Sequence, residues 1–345
     1  MGVDLGDIVP RRVMNITELP KSKIAIDAYN ALYQFLTIIR QPDGTPLLDS
    51  YGRVTSHLQG LFYRTINLVE LGLKPIYVFD GDVLPIKRKE IEQRVQRKEK
   101  AKVEAYQAIQ EGRYDVAYRK SMQAASLTGE MVTHAKTLLS YMGIPIVQAP
   151  FEGEAQAAKI VIDGQAYACA SQDYDALLFG TPRLIRNLTI SGKRKLPGRN
   201  QYVEVKPELI YLDEVLKQTG LTRRQLVEVG VLIGTDYNPA GFPGIGPKTA
   251  LQLIKKHSSI HEALKVKGIE IDFDIEALIK EFLQPRVSQT YEVKWGSVDI
   301  DGLRKFLCQE HDFSQERVDA ALQRYLNAIS KPEQKSLDNW FSAAA

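Results

Sequence analysis

The sequence predicts an α/β protein in which a central, largely parallel and twisted sheet carries helices on both faces. Short apolar runs punctuate the first half of the chain, and they are nearly continuous in hydrophobic residues, as is typical of strands buried on both sides. Segments with helical periodicity lie between these runs, so strands and helices alternate as they do in parallel sheets. The runs span residues 23–26, 74–79, 143–147 and 167–170, and the clearest helical segments between them span 58–71 and 133–142.

The composition is that of an ordinary folded protein. The chain has 345 residues, 44% of them hydrophobic and 25% charged, with a formal net charge of +3. This size suits one large α/β domain or two small ones, and neither disorder nor a membrane span is predicted. Cys169 and Cys308 are far apart and lack metal-ligand spacing, which favours a reducing, cytoplasmic setting. The N-terminus MGVDLGDIVPRR has no apolar signal core, and Gly6 stands where a myristoylation motif requires Ser or Thr.

Acidic residues follow each of the four predicted strands. Ligands of parallel sheets bind beyond the carboxyl ends of the strands, so acids at these positions are expected to meet at one edge. A further acid follows a helix predicted over residues 222–234. The expected cluster comprises Asp27, Asp80, Glu152, Glu154, Asp173, Asp175 and Asp236.

Any one of these acids could simply cap a helix or end a strand. Seven carboxylates at one edge, however, cannot all stay ionised unless cations neutralise them. Oxygen ligands without His or Cys favour Mg²⁺ or Mn²⁺ over zinc. Two such ions about 3.5–4 Å apart suit the displacement of a phosphodiester, because they stabilise both the attacking and the leaving oxygen. The sequence therefore predicts a two-metal site.

One alternative is an enzyme with a different reaction mechanism. The stretch FDGDV, residues 79–83, resembles the strand-end DxDxV motif of haloacid-dehalogenase-type phosphatases, in which Asp80 would be a covalent nucleophile. This motif is short, and it leaves Glu152, Glu154 and the segment 221–257 without a role.

Two segments carry the signals for nucleic-acid binding. Residues 82–130 interrupt the alternation with a charged helix and an Ala- and Ser-rich one, which together predict an insertion standing off the sheet. Considered alone, its basic run, 87–102, predicts only a solvent-exposed helix face. Because the run would lie above an acidic sheet edge, a role in steering DNA phosphates toward that edge is favoured. Residues 221–257 predict two helices joined by the turn GIGPK, 244–248, which resembles the hairpin of a helix-hairpin-helix DNA-binding module.

Glycines in such a turn let the backbone approach a phosphate, and the N–H groups of the second helix point at the anion. This contact positions a duplex without reading its bases. For GxGP alone, a plain turn between two helices is an equal alternative. Tyr33 leaves two alternatives open, core packing or a platform on which a base stacks.

Taken together, these motifs resemble the structure-specific 5′-nuclease family, and within it the archaeal type of flap endonuclease. The resemblance covers essentially the whole chain. The matching stretches are MGVDLGDIVP, IAIDAYNALYQFL, VFDGD, APFEGEAQAA, SQDYDALLFG, VGVLIGTDYNPAGFPGIGPKTAL and QKSLDNWF. The resemblance implies a PIN-like 5′-nuclease fold over residues 1–330, with residues 82–130 as a helical arch and 221–257 as the helix-hairpin-helix module.

The resemblance also implies roles for individual residues. The amine of Gly2, after loss of Met1, is expected near the active site, and a K⁺ ion is expected at the hairpin. One metal would be held by Asp27, Asp80, Glu152 and Glu154, and the other by Asp173, Asp175 and Asp236. The residues expected to bind DNA are Lys87 and Arg94 at the scissile phosphate, Tyr33 at a base, and Gly244, Gly246 and Lys248 at the duplex.

The C-terminal segment 331–345 carries a separate prediction. Its stretch QKSLDNWF resembles a sliding-clamp-binding motif, in which one helical turn presents apolar side chains to a pocket. The alternative is a hydrophobic turn packed on the protein itself. The residues of the motif are Gln334, Leu337, Trp340 and Phe341.

The resemblance implies a divalent-metal-dependent endonuclease that cleaves branched DNA at a 5′ flap during Okazaki-fragment maturation and repair. A weaker 5′-3′ exonuclease activity and a monomeric protein are expected with it. Two alternatives remain: a non-catalytic, clamp-tethered binder of branched DNA, and a junction or bubble nuclease of the same family.

Overall fold

A computed structural model describes residues 2–41, 44–195, 202–271 and 273–330. Its described strands are β1 (Arg12–Val13), β2 (Lys23–Asp27), β3 (Lys74–Phe79), β4 (Ile146–Gln148), β5 (Ala168–Ala170), β6 (Arg183–Arg186), β7 (Gly192–Lys195), β8 (Tyr202–Val205) and β9 (Glu208–Tyr211). Seven of them form one sheet in the order β1-β9-β6-β5-β2-β3-β4, and β7 and β8 form a separate two-stranded sheet.

The sheet is mixed but mostly parallel. Strands β4, β3, β2, β5 and β6 are parallel to one another, whereas β9 pairs antiparallel with both β6 and β1. The predicted fold class is confirmed, with a short antiparallel edge added to it.

The described helices are α1 (Ala28–Ile38), α2 (Ser56–Glu70), α3 (Arg88–Gln110), α4 (Tyr114–Gln123), α5 (Gly129–Tyr141), α6 (Gly153–Ile162), α7 (Asp175–Leu178), α8 (Leu212–Thr219), α9 (Arg223–Ile233), α10 (Pro247–His257), α11 (Ile260–Lys267), α12 (Ile275–Leu283), α13 (Ile300–Arg304) and α14 (Gln315–Ile329). Short 3₁₀ turns span Ile16–Glu18 and Pro85–Lys87, and a π-helical turn, Lys305–Gln309, follows α13. Across the described residues, no helix is both long and apolar enough to cross a membrane.

The central strands are covered on both faces because their side chains alternate between two hydrophobic clusters. In β3, Ile76 and Val78 belong to the cluster that includes residues of α6, α7 and α9. Tyr77 and Phe79 belong to the opposite cluster, with residues of α1, α2, α5 and α14. All four of these β3 side chains are fully buried. This burial fixes the strands, and therefore the positions of the residues that follow them.

Local signals set the ends of several helices where the sequence predicts them. Thr222 caps α9 in a capping box with Gln225, and Gly234 ends this helix with a φ of 117°, a value that favours glycine. Pro247 opens α10, as its fixed φ and missing N–H allow. Ser314 caps α14, and its side chain accepts from Arg317 N.

The region after residue 270 is helical only in part. Residues 284–299 form neither helix nor strand. Helix α12 ends just before Pro285, and the segment is then held by long-range bonds. Ser288 N donates to Gln156 Oε1 at 2.7 Å, and Gly296 N donates to Gly143 O at 2.8 Å.

Candidate metal and nucleic-acid site

The seven predicted acids lie at the carboxyl edge of the parallel strands. Asp27 is the last residue of β2 and Asp80 follows β3. Glu152 and Glu154 stand at the start of α6, after β4, while Asp175 opens α7, after β5. Since β4, β3, β2 and β5 are adjacent in the sheet, their ends bring these acids together as predicted.

Backbone groups hold two of these carboxylates in place. Asp27 caps α1, and its Oδ1 accepts from Asn30 N at 3.0 Å. Asp80 Oδ1 accepts from Gly153 N at 2.7 Å. A Cβ on Gly153 would lie 2.7 Å from the same oxygen, so only glycine allows this contact.

The N-terminal segment fixes the acids that follow β5. Gly2 N donates to Asp173 Oδ1 at 3.1 Å, and Val3 N donates to Asp175 Oδ1 at 2.8 Å. Asn30 Nδ2 also donates to Asp173, at 3.2 Å. Gly2 therefore lies beside the acidic cluster, the position that the family resemblance implies for it.

Burial and mutual repulsion disfavour the charged form of several of these acids. Burial, with a contribution from neighbouring Asp80, raises the pKa of Asp27 well above its usual range, and burial with Asp27 does the same to the pKa of Glu154. Burial and Glu152 raise the pKa of Asp80 to about 6. Burial and Asp236 raise the pKa of Asp175 to about 7. The edge thus has an excess of buried negative charge.

Basic side chains from the insertion enter this edge. Lys87 Nζ donates to Glu152 Oε2 at 2.6 Å and lies 3.5 Å from Asp236 Oδ2. Arg94 Nη2 donates to Asp236 Oδ1 at 2.6 Å. Burial alone would raise the pKa of Asp236, but Lys87 and Arg94 outweigh it and hold that pKa below its usual value. The start of the insertion therefore reaches the sheet edge through these two side chains, while α3 and α4 pack mainly on each other.

The arrangement of the acids differs from the predicted metal cage. Among the residues described, no group of three or more His, Cys, Asp and Glu side chains is arranged to hold one metal ion. Lys87 and Arg94 already pair with Glu152 and Asp236, which accounts for part of this difference. The donor set nevertheless fits a hard divalent cation, since it consists of clustered carboxylates whose burial is otherwise unfavourable.

Tyr33 lies on α1, half-buried under the insertion. Its hydroxyl accepts from Lys98 Nζ at 2.8 Å, and the same ammonium lies 4.4 Å from the ring centroid. Tyr33 belongs to neither buried cluster. This position favours the stacking alternative over core packing.

The turn between α9 and α10 leaves Gly244 and Gly246 open. Gly244 has a φ of 75°, and a Cβ added to Gly244 or Gly246 would meet no atom within 4 Å. Gly246 is the N-cap of α10. Lys248, 74% exposed, lies in the first turn, 3.7 Å from Asp7. The clamp-binding candidates Gln334, Leu337, Trp340 and Phe341 lie outside the described residues.

Four further residues join the site that the sequence did not single out. Ser171 donates to Glu154 through a short hydrogen bond, and Asn30 contacts Asp173. The ring of Tyr237 lies 5.0 Å from Lys87 Nζ, and Glu90 binds Arg94. Of these four, Tyr237 could have been considered from the sequence because it is adjacent to Asp236. The contacts of the other three depend on how distant segments pack or on which side of a helix the residue lies.

Comparison with known proteins places the sequence among characterised nucleases. Residues 4–101 match the XPG N-terminal domain, and residues 143–236 match the XPG I-region. The chain is 54% identical to flap endonuclease 1 of Staphylothermus marinus, covering 99% of this chain and 100% of the relative. It is 53% identical to flap endonuclease 1 of Pyrococcus furiosus, covering 99% of each.

Solved structures give the same result. The structure of flap endonuclease-1 from Methanococcus jannaschii superimposes with a TM-score of 0.76 at 39% identity, covering 95% of this chain and 99% of that one. The Rad2 catalytic core in complex with a DNA substrate shares the fold, with a TM-score of 0.71 at 24% identity, covering 94% and 100%. None of these relatives favours the phosphatase, the non-catalytic binder or the junction nuclease, and Asp82 of the DxDxV motif is exposed. The chain belongs to the flap endonuclease 1 family of XPG-type nucleases.

Proposed function

We propose that this protein is a structure-specific endonuclease that hydrolyses branched DNA at the base of a 5′ single-stranded flap. It acts in DNA replication, where it matures Okazaki fragments, and in DNA repair. A weaker 5′-3′ exonuclease activity uses the same site. One observation carries the proposal: seven acids meet at the sheet edge, and the cations of Lys87 and Arg94 enter that edge from the insertion.

Nucleases of this family depend on divalent metal ions. We assign two Mg²⁺ ions to this edge, with Mn²⁺ able to substitute. When bound, the ions would neutralise the carboxylates and stabilise negative charge on the phosphodiester in the transition state. The residues assigned to one ion are Asp27, Asp80, Glu152 and Glu154, and those assigned to the other are Asp173, Asp175 and Asp236.

The roles of Lys87 and Arg94 are inferred from the positions of their charged groups. Both side chains end at the acidic edge, so a phosphate bound there lies within range of an ammonium and a guanidinium. Each can exchange a carboxylate partner for a phosphate oxygen, because both partners are anionic acceptors. The two residues then orient the scissile phosphate and stabilise its developing charge.

The remaining assignments concern how DNA is held. Residues 82–130 form the arch around the 5′ single strand, and Tyr33 stacks on a base near the cleavage site. Gly244, Gly246 and Lys248 hold the phosphate backbone of the duplex, together with a K⁺ ion, at the N-terminus of α10. The segment 331–345 binds a sliding clamp, and the protein by itself is a monomer.

The proposal is tested with a 5′-labelled flap duplex. The wild-type protein should cleave it in Mg²⁺ and leave it intact in EDTA, and should prefer it to bubble and four-way-junction substrates. Asp175→Asn keeps the shape of a buried ligand candidate but removes its charge, and should lower kcat at least 100-fold. Asp301→Asn is the matched control because that side chain is 98% exposed. Full activity of Asp175→Asn, or cleavage in EDTA, would contradict the proposed mechanism.

A further inference from the structure

A carboxylate outside the acidic cluster is buried on the insertion. Glu90 lies in the first turn of α3 and is only 6% exposed, although most of this helix is charged and open to solvent. A buried carboxylate is unfavourable unless a positive group pairs with it. Glu90 is not among the acids assigned to metal, so its burial needs another explanation.

The partners of Glu90 supply that explanation. Glu90 Oε1 accepts from Arg94 Nε at 2.5 Å and lies 3.4 Å from Arg97 Nη2. Arg94 is therefore held between two carboxylates, since its Nη2 donates to Asp236. A guanidinium is planar and its donors point in fixed directions. A bond that fixes Nε consequently fixes the direction in which Nη2 points.

This pair differs from an ordinary Glu–Arg pair along a helix. Exposed pairs with this i,i+4 spacing stabilise a helix by only about 0.3–0.5 kcal/mol and leave both side chains mobile. Here the acid is buried and the arginine ends at the acidic edge. Such a contact can restrict the orientation of Arg94 whether or not Asp236 is its second partner.

We propose that Glu90 is a positioning residue for the nuclease reaction: it keeps the Arg94 guanidinium aimed at the acidic edge while Arg94 exchanges Asp236 for the scissile phosphate. This inference rests on the proposed function. Glu90 touches neither DNA nor metal in this role and acts only through Arg94. Because Nε stays bound, the exchange at Nη2 requires little reorientation of the side chain, and such preorganisation raises the rate of the chemical step.

The test compares two substitutions that each remove one negative charge from α3. Glu90→Gln should lower the single-turnover rate of flap cleavage about tenfold, the size typical of losing a residue that orients a functional group, with KM unchanged. Glu92→Gln, at an exposed position two residues away, should keep the wild-type rate. Fluorescence anisotropy in EDTA should show equal affinities of the two variants for flap DNA.

Two further variants separate positioning from folding. Glu90→Asp keeps the charge and should recover part of the lost rate. In the Arg94→Ala background, Glu90→Gln should cause no additional loss, because Glu90 acts only through Arg94. An unchanged rate in Glu90→Gln, an equal loss in Glu92→Gln, or a full additional loss without Arg94 would overturn the inference. Wild-type protein that fails to cleave flap DNA would instead overturn the proposed function.

Discussion

The ammonium of Lys87 donates a hydrogen bond to Glu152 at 2.6 Å, which joins the start of the insertion to the acidic edge of the sheet. Both side chains are largely buried, with 15% and 18% of their surfaces exposed. Pairing of this kind neutralises a carboxylate that would otherwise be poorly solvated. Lys87 therefore has two functions to distinguish by experiment, counter-charge for the acids and contact with DNA.

Lys87→Met is predicted to impair both functions. In EDTA its free energy of unfolding should fall by on the order of 2 kcal/mol, because Glu152 loses a hydrogen bond from a charged donor and Asp236 loses a nearby cation. Added Mg²⁺ should then stabilise the variant more than it stabilises the wild type, since the metal ions take over the counter-charge. Thermal unfolding with and without MgCl₂ measures this difference, and flap cleavage should fall at least 100-fold.

Lys100→Met provides the control for that experiment. Lys100 is exposed on the same helix, so its loss should change neither the stability in EDTA nor the response to Mg²⁺. Equal Mg²⁺-induced shifts in Tm for Lys87→Met and the wild type would show that Lys87 does not neutralise the acids.

Lys248→Ala tests the assignment of the hairpin. The side chain is 74% exposed in the first turn of α10, so its removal should leave the fold intact. When a lysine contacts one phosphate, about one counterion is released from the DNA. Removing Lys248 should therefore reduce by about one the steepness of the plot of the logarithm of the association constant against the logarithm of the salt concentration. Flap DNA affinity measured at several KCl concentrations gives that slope. Lys267→Ala, exposed on α11, should keep the wild-type slope.

The clamp-binding motif gives a prediction independent of the nuclease site. Replacing Trp340 and Phe341 together by Ala removes the apolar side chains expected to fill a clamp pocket. Cleavage of flap DNA by the protein alone should stay at the wild-type rate, while stimulation by an added archaeal sliding clamp should disappear. Ser336→Ala, at a variable position of the motif, should retain stimulation. Equal stimulation of the double variant would refute the assignment.

The sequence predicts those parts of the structure that are determined by residues close together in the chain. A buried strand followed by an acid, as at Asp27, places that acid at the sheet edge, and Thr222 and Pro247 set helix starts through their own chemistry. Contacts between distant segments carry no comparable signal. The two-residue strand β1 pairs with β9 across most of the chain, and residues 284–299 are held by bonds to α6 and to Gly143.

The same reasoning applies within the site. The acids are predictable because strand ends converge, but the entry of Lys87 and Arg94 into the acidic edge depends on how the insertion packs. Glu90 is indistinguishable in sequence from the exposed acids around it, since only the side of α3 on which it lies decides its burial. Side-chain pairing across elements is therefore the part that required the structure.

Away from the nuclease site, three histidines are packed together. His57 on α2 is fully buried, and neither ring nitrogen has a hydrogen-bond partner among the described residues. Its ring lies 6.4 Å from that of His134, which lies 4.7 Å from that of His311. Burial, then the neighbouring His134 and His311, lower the pKa of His57 to about 3. The folded protein thus keeps His57 neutral at any pH near neutrality.

This histidine is predicted to contribute a loss of stability in mild acid, opposite in sign to the contribution of the acids whose pKa is raised, such as Asp80 and Asp175. The unfolded chain gains a proton on His57 as the pH falls through about 6.5, whereas the folded chain does not until about pH 3, so stability is lost between these values. The expected loss is about 1.4 kcal/mol per pH unit below about pH 6. His57→Leu should remove this contribution, while those of Asp80, Asp175 and His311 stay the same in both proteins and cancel in the comparison. The variant should also be more stable than the wild type at pH 5, because no unpaired polar ring is then buried. Urea unfolding from pH 7.5 to 5 measures the slope of the free energy of unfolding against pH. The control variant His257→Leu, outside the cluster, should have the wild-type slope. An identical slope in His57→Leu and the wild type would contradict the prediction.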